Sequence, residues 1–187
     1  NKRKIFMKDV DLLRNIDIRN GSHIIREING QPDLWKNTFK SVLVEKERIS
    51  FFLNEVLKIN NLHIILSGAG SSAFIGEILR QAFYNNTGCC TTVIPTTDLV
   101  THPKDYFNKT LPTLLISFAR SGDSPESVAT FELAENMLDS VYHLVITCNP
   151  DGNLAKKAFN VKNSYVFVLP DESKDRKSTR LNSSHST

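Results

Sequence analysis

The chain has 187 residues, 40% hydrophobic and 23% charged, the balance of a globular protein with an ordinary core rather than of a disordered one. Its net charge of +3 gives no footprint for nucleic acid: residues 175–187 hold Arg176, Lys177 and Arg180 against Asp175, and the rest carries 20 basic and 19 acidic side chains, a net of +1. No apolar run approaches the ~20 residues that span a bilayer, and the opening NKRKIFMKDVDLLRN has no signal-peptide centre, so a cytoplasmic protein without membrane contact is expected.

Residues 1–31 read as a polar, irregular leader, and because the first residue is not Met the start is expected to lie inside a longer frame. Over 32–60 the spacing of Leu34, Trp35, Phe39, Leu43, Ile49, Phe52, Leu53, Val56 and Leu57 predicts one long amphipathic helix, with Pro32 in its first turn and Trp35 and Phe39 as core or domain contacts. The period then changes. HIILSG (63–68) reads as a strand, SSAFIGEILRQAFY (71–84) as a helix, TTVIP (91–95) as a strand and TTDLVTHPKDYFN (96–108) as a loop or short helix. TLLISFA (113–119), PESVATFELAENML (125–138), YHLVITC (142–148), NLAKKA (153–158) and SYVFVL (164–169) continue the alternation of strand and helix. Short apolar strands alternating with helices imply a three-layer α-β-α sandwich around a five-stranded parallel sheet, over residues 61–174.

Cys89, Cys90 and Cys148 have neither metal-ligand nor redox-motif spacing and read as reduced thiols. The five histidines form no H-x-x-x-H pair, so neither a metal nor an organic cofactor is expected.

Two strand-to-helix turns carry the chemistry. GAGSSAFIG places glycines at 68, 70 and 76, whereas a dinucleotide-binding turn needs its third at 73, where this chain has Ala73; the acidic residue expected after the second strand is also delayed to Asp98. No Gly-Lys-Ser/Thr supports a P-loop, and no G-x-S-x-G supports a nucleophile elbow. What fits is an anion held without lysine. In ARSGDSPES, Gly122 permits a tight turn, Ser124 stands at the N-cap and Pro125 at the first helical position, so backbone N–H groups converge with the hydroxyls of Ser121 and Ser124. Ser71 and Ser72 open the earlier helix in the same way. The bland alternative for each turn is a capping serine among solvated turn residues. Two such turns at the carboxyl edge of one parallel sheet, where ligands bind such folds, favour the functional reading.

Taken together, the G-x-G-S-S turn, the S-G-x-S turn and the EINGQPDLW leader (27–35) resemble the SIS (sugar isomerase) domain family. TTDLVTHPKDYF and SFARSGDSPESV resemble its AgaS branch, described as tagatose-6-phosphate ketose/aldose isomerases or galactosamine-6-phosphate deaminase/isomerases. The resemblance covers about residues 22–174. It implies that a hexose or amino-sugar 6-phosphate is bound, its phosphate held by Ser71, Ser72, Ser121 and Ser124, with Gly70, Arg120, Gly122, Asp98 and Asn149 lining the site. Ala119 stands where glucosamine-6-phosphate synthase has a serine, and Arg120 is the candidate substitute for that lost hydroxyl. Full-length members carry two such domains, so pairing with a second domain or a homo-oligomer is implied. The acid and base of catalysis are implied to lie in later segments. Within this chain, His102 and Glu126 are the weak catalytic candidates. His102 is either a surface turn residue beside Pro103 or a general acid/base reaching the sugar, and Glu126 serves the helix dipole if not the reaction. The competing functional reading is a non-catalytic phosphosugar-sensing module of a regulator. Finally, DRKSTRLNSSH (175–185) matches codon for codon the translation of a common sequencing-adapter end, so the tail is expected to be non-native.

Overall fold

The computed structural model describes residues 22–173. The first helix, α1 (Ser22–Val56), contains Pro32 within its length. The apolar spacing predicts a helix only from Pro32, with 22–31 irregular. An interior proline forfeits one hydrogen bond and crowds the preceding turn, but that local cost does not stop a helix from forming upstream of it. Two compact units are present: α1 as far as Phe39 belongs to one, and the chain from Lys40 onward to the other. In the first, Trp35 and Phe39 are 67% and 64% exposed rather than core. The tail expected to be non-native lies outside the described residues.

From Lys40 the order is β1 (His63–Gly68), a 3-10 turn (Gly70–Ser72), α2 (Ala73–Thr87), β2 (Cys90–Val93), α3 (Thr96–Thr101), α4 (Pro103–Tyr106) and β3 (Thr113–Ala119). It continues with α5 (Pro125–Met137), β4 (Val141–Thr147), α6 (Asn153–Phe159), β5 (Ser164–Val168) and a closing 3-10 turn (Asp171–Ser173). The five strands form one parallel sheet in the order β2-β1-β3-β4-β5. The expected α/β sandwich is what the chain forms.

Alternation along the strands sorts the core into layers. Ile64, Leu66, Leu114, Ile116 and Leu144 pack with Phe52, Leu53 and Val56 of α1 and with Leu79 and Phe83 of α2. Ile65 and Leu115 face the other way, onto Leu99 of α3 and Ala134 of α5. Val145 joins Phe131 of α5 and Leu154 and Ala158 of α6. Gly76 lets α2 lie close on the sheet: a Cβ there would come within 2.8 Å of Val93 Cγ1 and 3.1 Å of Leu66 Cβ. At the far end of α2, Gly88 adopts φ +68 and its N–H returns to the Tyr84 carbonyl at 2.8 Å, ending the helix.

The strand order fixes where the site lies. The chain leaves β1 toward β2 on one side and returns to β3 on the other. The carboxyl ends of β1 and β3 therefore border a crevice at the point where the winding reverses, the usual ligand position in such sheets.

Candidate functional site

Register alone brings three turns together. Gly68 pairs with Phe118, and Ala119 with Thr147, so the turns after β1, β3 and β4 stand side by side at one edge of the sheet. The first turn is tight. Gly70 has φ +55, Ser72 N–H donates to the Ala69 carbonyl at 3.1 Å, and a Cβ on Gly68 would sit 2.6 Å from the Ser72 carbonyl carbon. Ser71 is exposed and Ser72 half-buried, and among the described residues neither hydroxyl makes a hydrogen bond. Both keep an O–H to donate. Below them Thr96 Oγ1 donates to the Gly68 carbonyl at 3.4 Å, tying α3 to this turn.

The second turn runs from Arg120 to Ser124. Gly122 is buried with φ +71, a conformation that disfavours any side chain. Ser124 is the N-cap of α5: its Oγ accepts the Ser127 N–H at 3.2 Å, as its position before Pro125 predicts. That hydroxyl also donates to Glu126 Oε2 at 3.0 Å and lies 3.0 Å from Ser127 Oγ. A hydroxyl has a single proton, so Ser124 is engaged in capping and in holding Glu126. Ser121 differs. Its Oγ accepts the Asp123 N–H at 3.3 Å and keeps its proton for a ligand. Glu126, placed in the first turn of α5, is bonded to the cap rather than aimed at an open space. Arg120 is half-buried at the start of the turn.

The third turn, where Asn149 was expected to line the site, builds the second. Asn149 donates its amide to the Ser121 carbonyl at 3.0 Å, and Asn153 N–H donates to Asp123 Oδ1 at 3.0 Å. Thr147 and Gly152 also touch the Arg120–Gly122 backbone. Asp98 and His102 stand apart from these contacts. Both are exposed on α3 or at its end, Asp98 accepting from Thr97 Oγ1 at 3.3 Å and His102 Nδ1 lying 2.9 Å from Thr101 Oγ1.

The turns that carry the Ser71, Ser72 and Ser121 hydroxyls and the N-termini of two helices, α2 and α5, stand at one edge of the sheet. Hydroxyls and helix N-termini together suit an anion. Among the described residues no group of three or more His, Cys, Asp or Glu could hold a metal ion. Nor is any described helix long and apolar enough to cross a membrane. A larger open groove of about 880 Å³ lies elsewhere, where Phe51 and Phe52 of α1 face Tyr142 and Tyr165 near the starts of β4 and β5. Its wall is mostly apolar and it lies at the amino edge of the sheet. A smaller groove of about 550 Å³ runs between α5 and α6 and reaches Asp123.

Comparison with known proteins shows a family and a fold. The SIS domain family model matches residues 58–171. The chain is 45% identical over 156 residues to a D-galactosamine-6-phosphate deaminase AgaS of Escherichia coli, covering 83% of this chain and 41% of that protein. It is 42% identical over 153 residues to the protein of the same name from Shewanella sp. (strain ANA-3), covering 80% of this chain and 39% of that protein. The crystal structure of tagatose-6-phosphate ketose/aldose isomerase from Escherichia coli superposes with a TM-score of 0.81 at 44% identity, over 84% of this chain and 43% of that one. The chain thus spans about two fifths of the length of the curated relatives it matches.

Proposed function

This chain belongs to the SIS domain family, and from that premise we propose that it holds the phosphate of a hexose or amino-sugar 6-phosphate in the crevice between β1 and β3. The observation that carries the reading is the meeting of two hydroxyl-bearing helix N-termini at the reversal point of the sheet. Ser71, Ser72 and Ser121 donate to the phosphate, together with backbone N–H groups of the Gly70–Ser72 and Arg120–Asp123 turns. Gly70 and Gly122 let the backbone approach, Arg120 adds positive charge, and Ser124 secures the helix end on which the second turn depends.

The sugar is D-galactosamine 6-phosphate or D-tagatose 6-phosphate, as the relatives' names suggest, and the reaction is deamination or aldose/ketose isomerisation in the cytoplasm. Anchoring the phosphate makes ring opening and proton transfer between C1 and C2 effectively intramolecular. The acid and base that move the proton lie outside these turns, because Asp98 and His102 make only local contacts and Glu126 is bonded to its own cap. A second domain of the same kind or another copy of the chain covers the outer face of α2. That face leaves Phe74 68% and Ile78 79% exposed, more apolar surface than a lone helix gains from showing to water.

The test is calorimetric titration of the purified chain with D-galactosamine 6-phosphate, D-tagatose 6-phosphate and the two unphosphorylated sugars. Binding confined to the phosphate esters is expected. Equal binding of a sugar and its phosphate ester would overturn the reading.

A further inference from the structure

Three successive carbonyl oxygens of the second turn, those of Arg120, Ser121 and Gly122, point to one partner. The Arg120 carbonyl accepts from Cys148 N–H at 3.2 Å and from Thr147 Oγ1 at 3.3 Å. The Ser121 carbonyl accepts from Asn149 Nδ2 at 3.0 Å, and the Gly122 carbonyl from Leu154 N–H at 2.9 Å. Three successive carbonyls are thus drawn onto the segment joining β4 to α6. Among the described residues there are no cis peptides, and in a trans peptide the N–H points opposite to the C=O of the same unit. The N–H groups of Ser121, Gly122 and Asp123 are therefore turned away from that segment. Asp123 N–H is taken by Ser121 Oγ. Those of Ser121 and Gly122 have no partner among the described residues.

Asn149 is itself held from every side. Its Oδ1 accepts Asp151 N–H at 3.2 Å, its own N–H donates to Thr147 Oγ1 at 3.1 Å, and its carbonyl accepts Gly152 N–H at 3.3 Å. With Oδ1 fixed by Asp151, the amide nitrogen has to face Ser121. Gly152 completes the seat, since a Cβ there would fall on the Ser121 carbonyl oxygen and come within 3.1 Å of Gly122 Cα.

We infer that Asn149 is a positioning residue for the phosphate turn: seated on Gly152, it turns the Ser121 carbonyl away and so presents the Gly122 N–H, beside the Ser121 N–H that the bonds of Cys148 and Thr147 to the Arg120 carbonyl present, as an anion-binding nest. The inference rests on the phosphate reading of the site and assigns Asn149 no contact with the sugar. An asparagine at a sheet edge could equally be read as a sugar ligand, but the bond to the Ser121 carbonyl gives its amide a different task. Backbone N–H groups aligned in this way act on the anion itself, whatever sugar is attached to it.

The experiment uses the full chain as wild type, Asn149→Ala and Asn149→Asp. Inorganic phosphate and D-galactosamine 6-phosphate are the calorimetric probes, and hydrogen exchange of residues 120–124 is followed without ligand. Asn149→Ala should weaken both probes by the same factor, about tenfold, and speed exchange at 120–124. Asn149→Asp should weaken both further, because a carboxylate would then face the Ser121 carbonyl. If sugar-phosphate affinity falls while inorganic phosphate is unaffected, Asn149 touches the sugar and the inference is overturned. Unchanged affinity and unchanged exchange would overturn it as well. A wild-type chain that binds neither probe would refute the phosphate reading, and faster exchange in Asn149→Ala would then still uphold the positioning role.

Discussion

Lowering the pH through the histidine range should destabilise this fold, and His143 is the residue whose share can be isolated. The ring sits on β4, fully buried, stacked on Phe131 with centroids 3.9 Å apart, and its Nε2 lies 2.8 Å from Glu135 Oε1. In that geometry the neutral ring donates from Nε2, and a second proton would have to go on Nδ1, which is buried with no hydrogen-bond partner. Burial therefore lowers the pKa below the ordinary 6.5, and the hydrogen bond and charge of Glu135 only partly offset it. The folded state keeps the ring neutral while the unfolded chain takes up a proton near pH 6.5. Below that pH the unfolded state holds more protons, so stability falls as pH falls, and the loss levels off once pH passes below the folded pKa. One proton is worth at most about 1.4 kcal/mol per pH unit, so the loss between pH 6.5 and 5.5 has a ceiling of about 1 kcal/mol, reached only if the folded ring stays neutral throughout.

Urea denaturation at pH 7.5, 6.5 and 5.5 measures this, with His143→Gln as the comparison, because glutamine retains an N–H donor for Glu135 and does not titrate. The variant should lose less stability than wild type between pH 6.5 and 5.5, by an amount of up to about 1 kcal/mol. His63 also has a lowered pKa, from partial burial, and bonds Thr92 Oγ1 at 2.8 Å, so it contributes a background common to both proteins. Identical pH dependence in wild type and His143→Gln would refute the assignment.

Three further outcomes follow from the geometry. Gly76→Val should destabilise the fold by about 1–3 kcal/mol in urea denaturation, since its Cβ alone would meet Val93 and Leu66 inside contact distance; a neutral result would mean that α2 can lift off the sheet freely. Ser124→Ala should cost about 1 kcal/mol of stability as a lost cap. Ser121→Ala should leave stability within about 0.5 kcal/mol yet weaken sugar-phosphate binding about tenfold; calorimetry and denaturation of both serine variants would expose the reverse pattern.

The strands were legible because a parallel sheet covered on both faces makes short apolar runs, and Gly, Ser and Pro punctuate them. TLLISFA matches β3 residue for residue, and the ends of β4 and β5 shift by one position. The two serine turns could be found because capping and tight turning demand particular residues at particular offsets, as Ser124, Pro125 and Gly122 illustrate. How the hydroxyls divide their work was not legible. Ser124 was legible as the N-cap before Pro125, but only the three-dimensional placement of Glu126 shows that its proton is spent there while Ser121 keeps its own. The contact of Asn149 with Ser121 spans 28 residues and depends on register between β3 and β4. Of the two readings of Trp35 and Phe39, core or domain contact, their exposure excludes the core, because a helical stripe records which residues share a face, not what covers that face.

The most direct measurement is a crystal structure of the chain with D-galactosamine 6-phosphate bound. The phosphate should lie between the β1 and β3 turns, within hydrogen-bonding distance of Ser121 Oγ, the Gly122 N–H and at least one of the Ser71 and Ser72 hydroxyls. A phosphate found elsewhere, such as in the groove beside Phe51 and Tyr165, with the serine turns empty, would contradict the account.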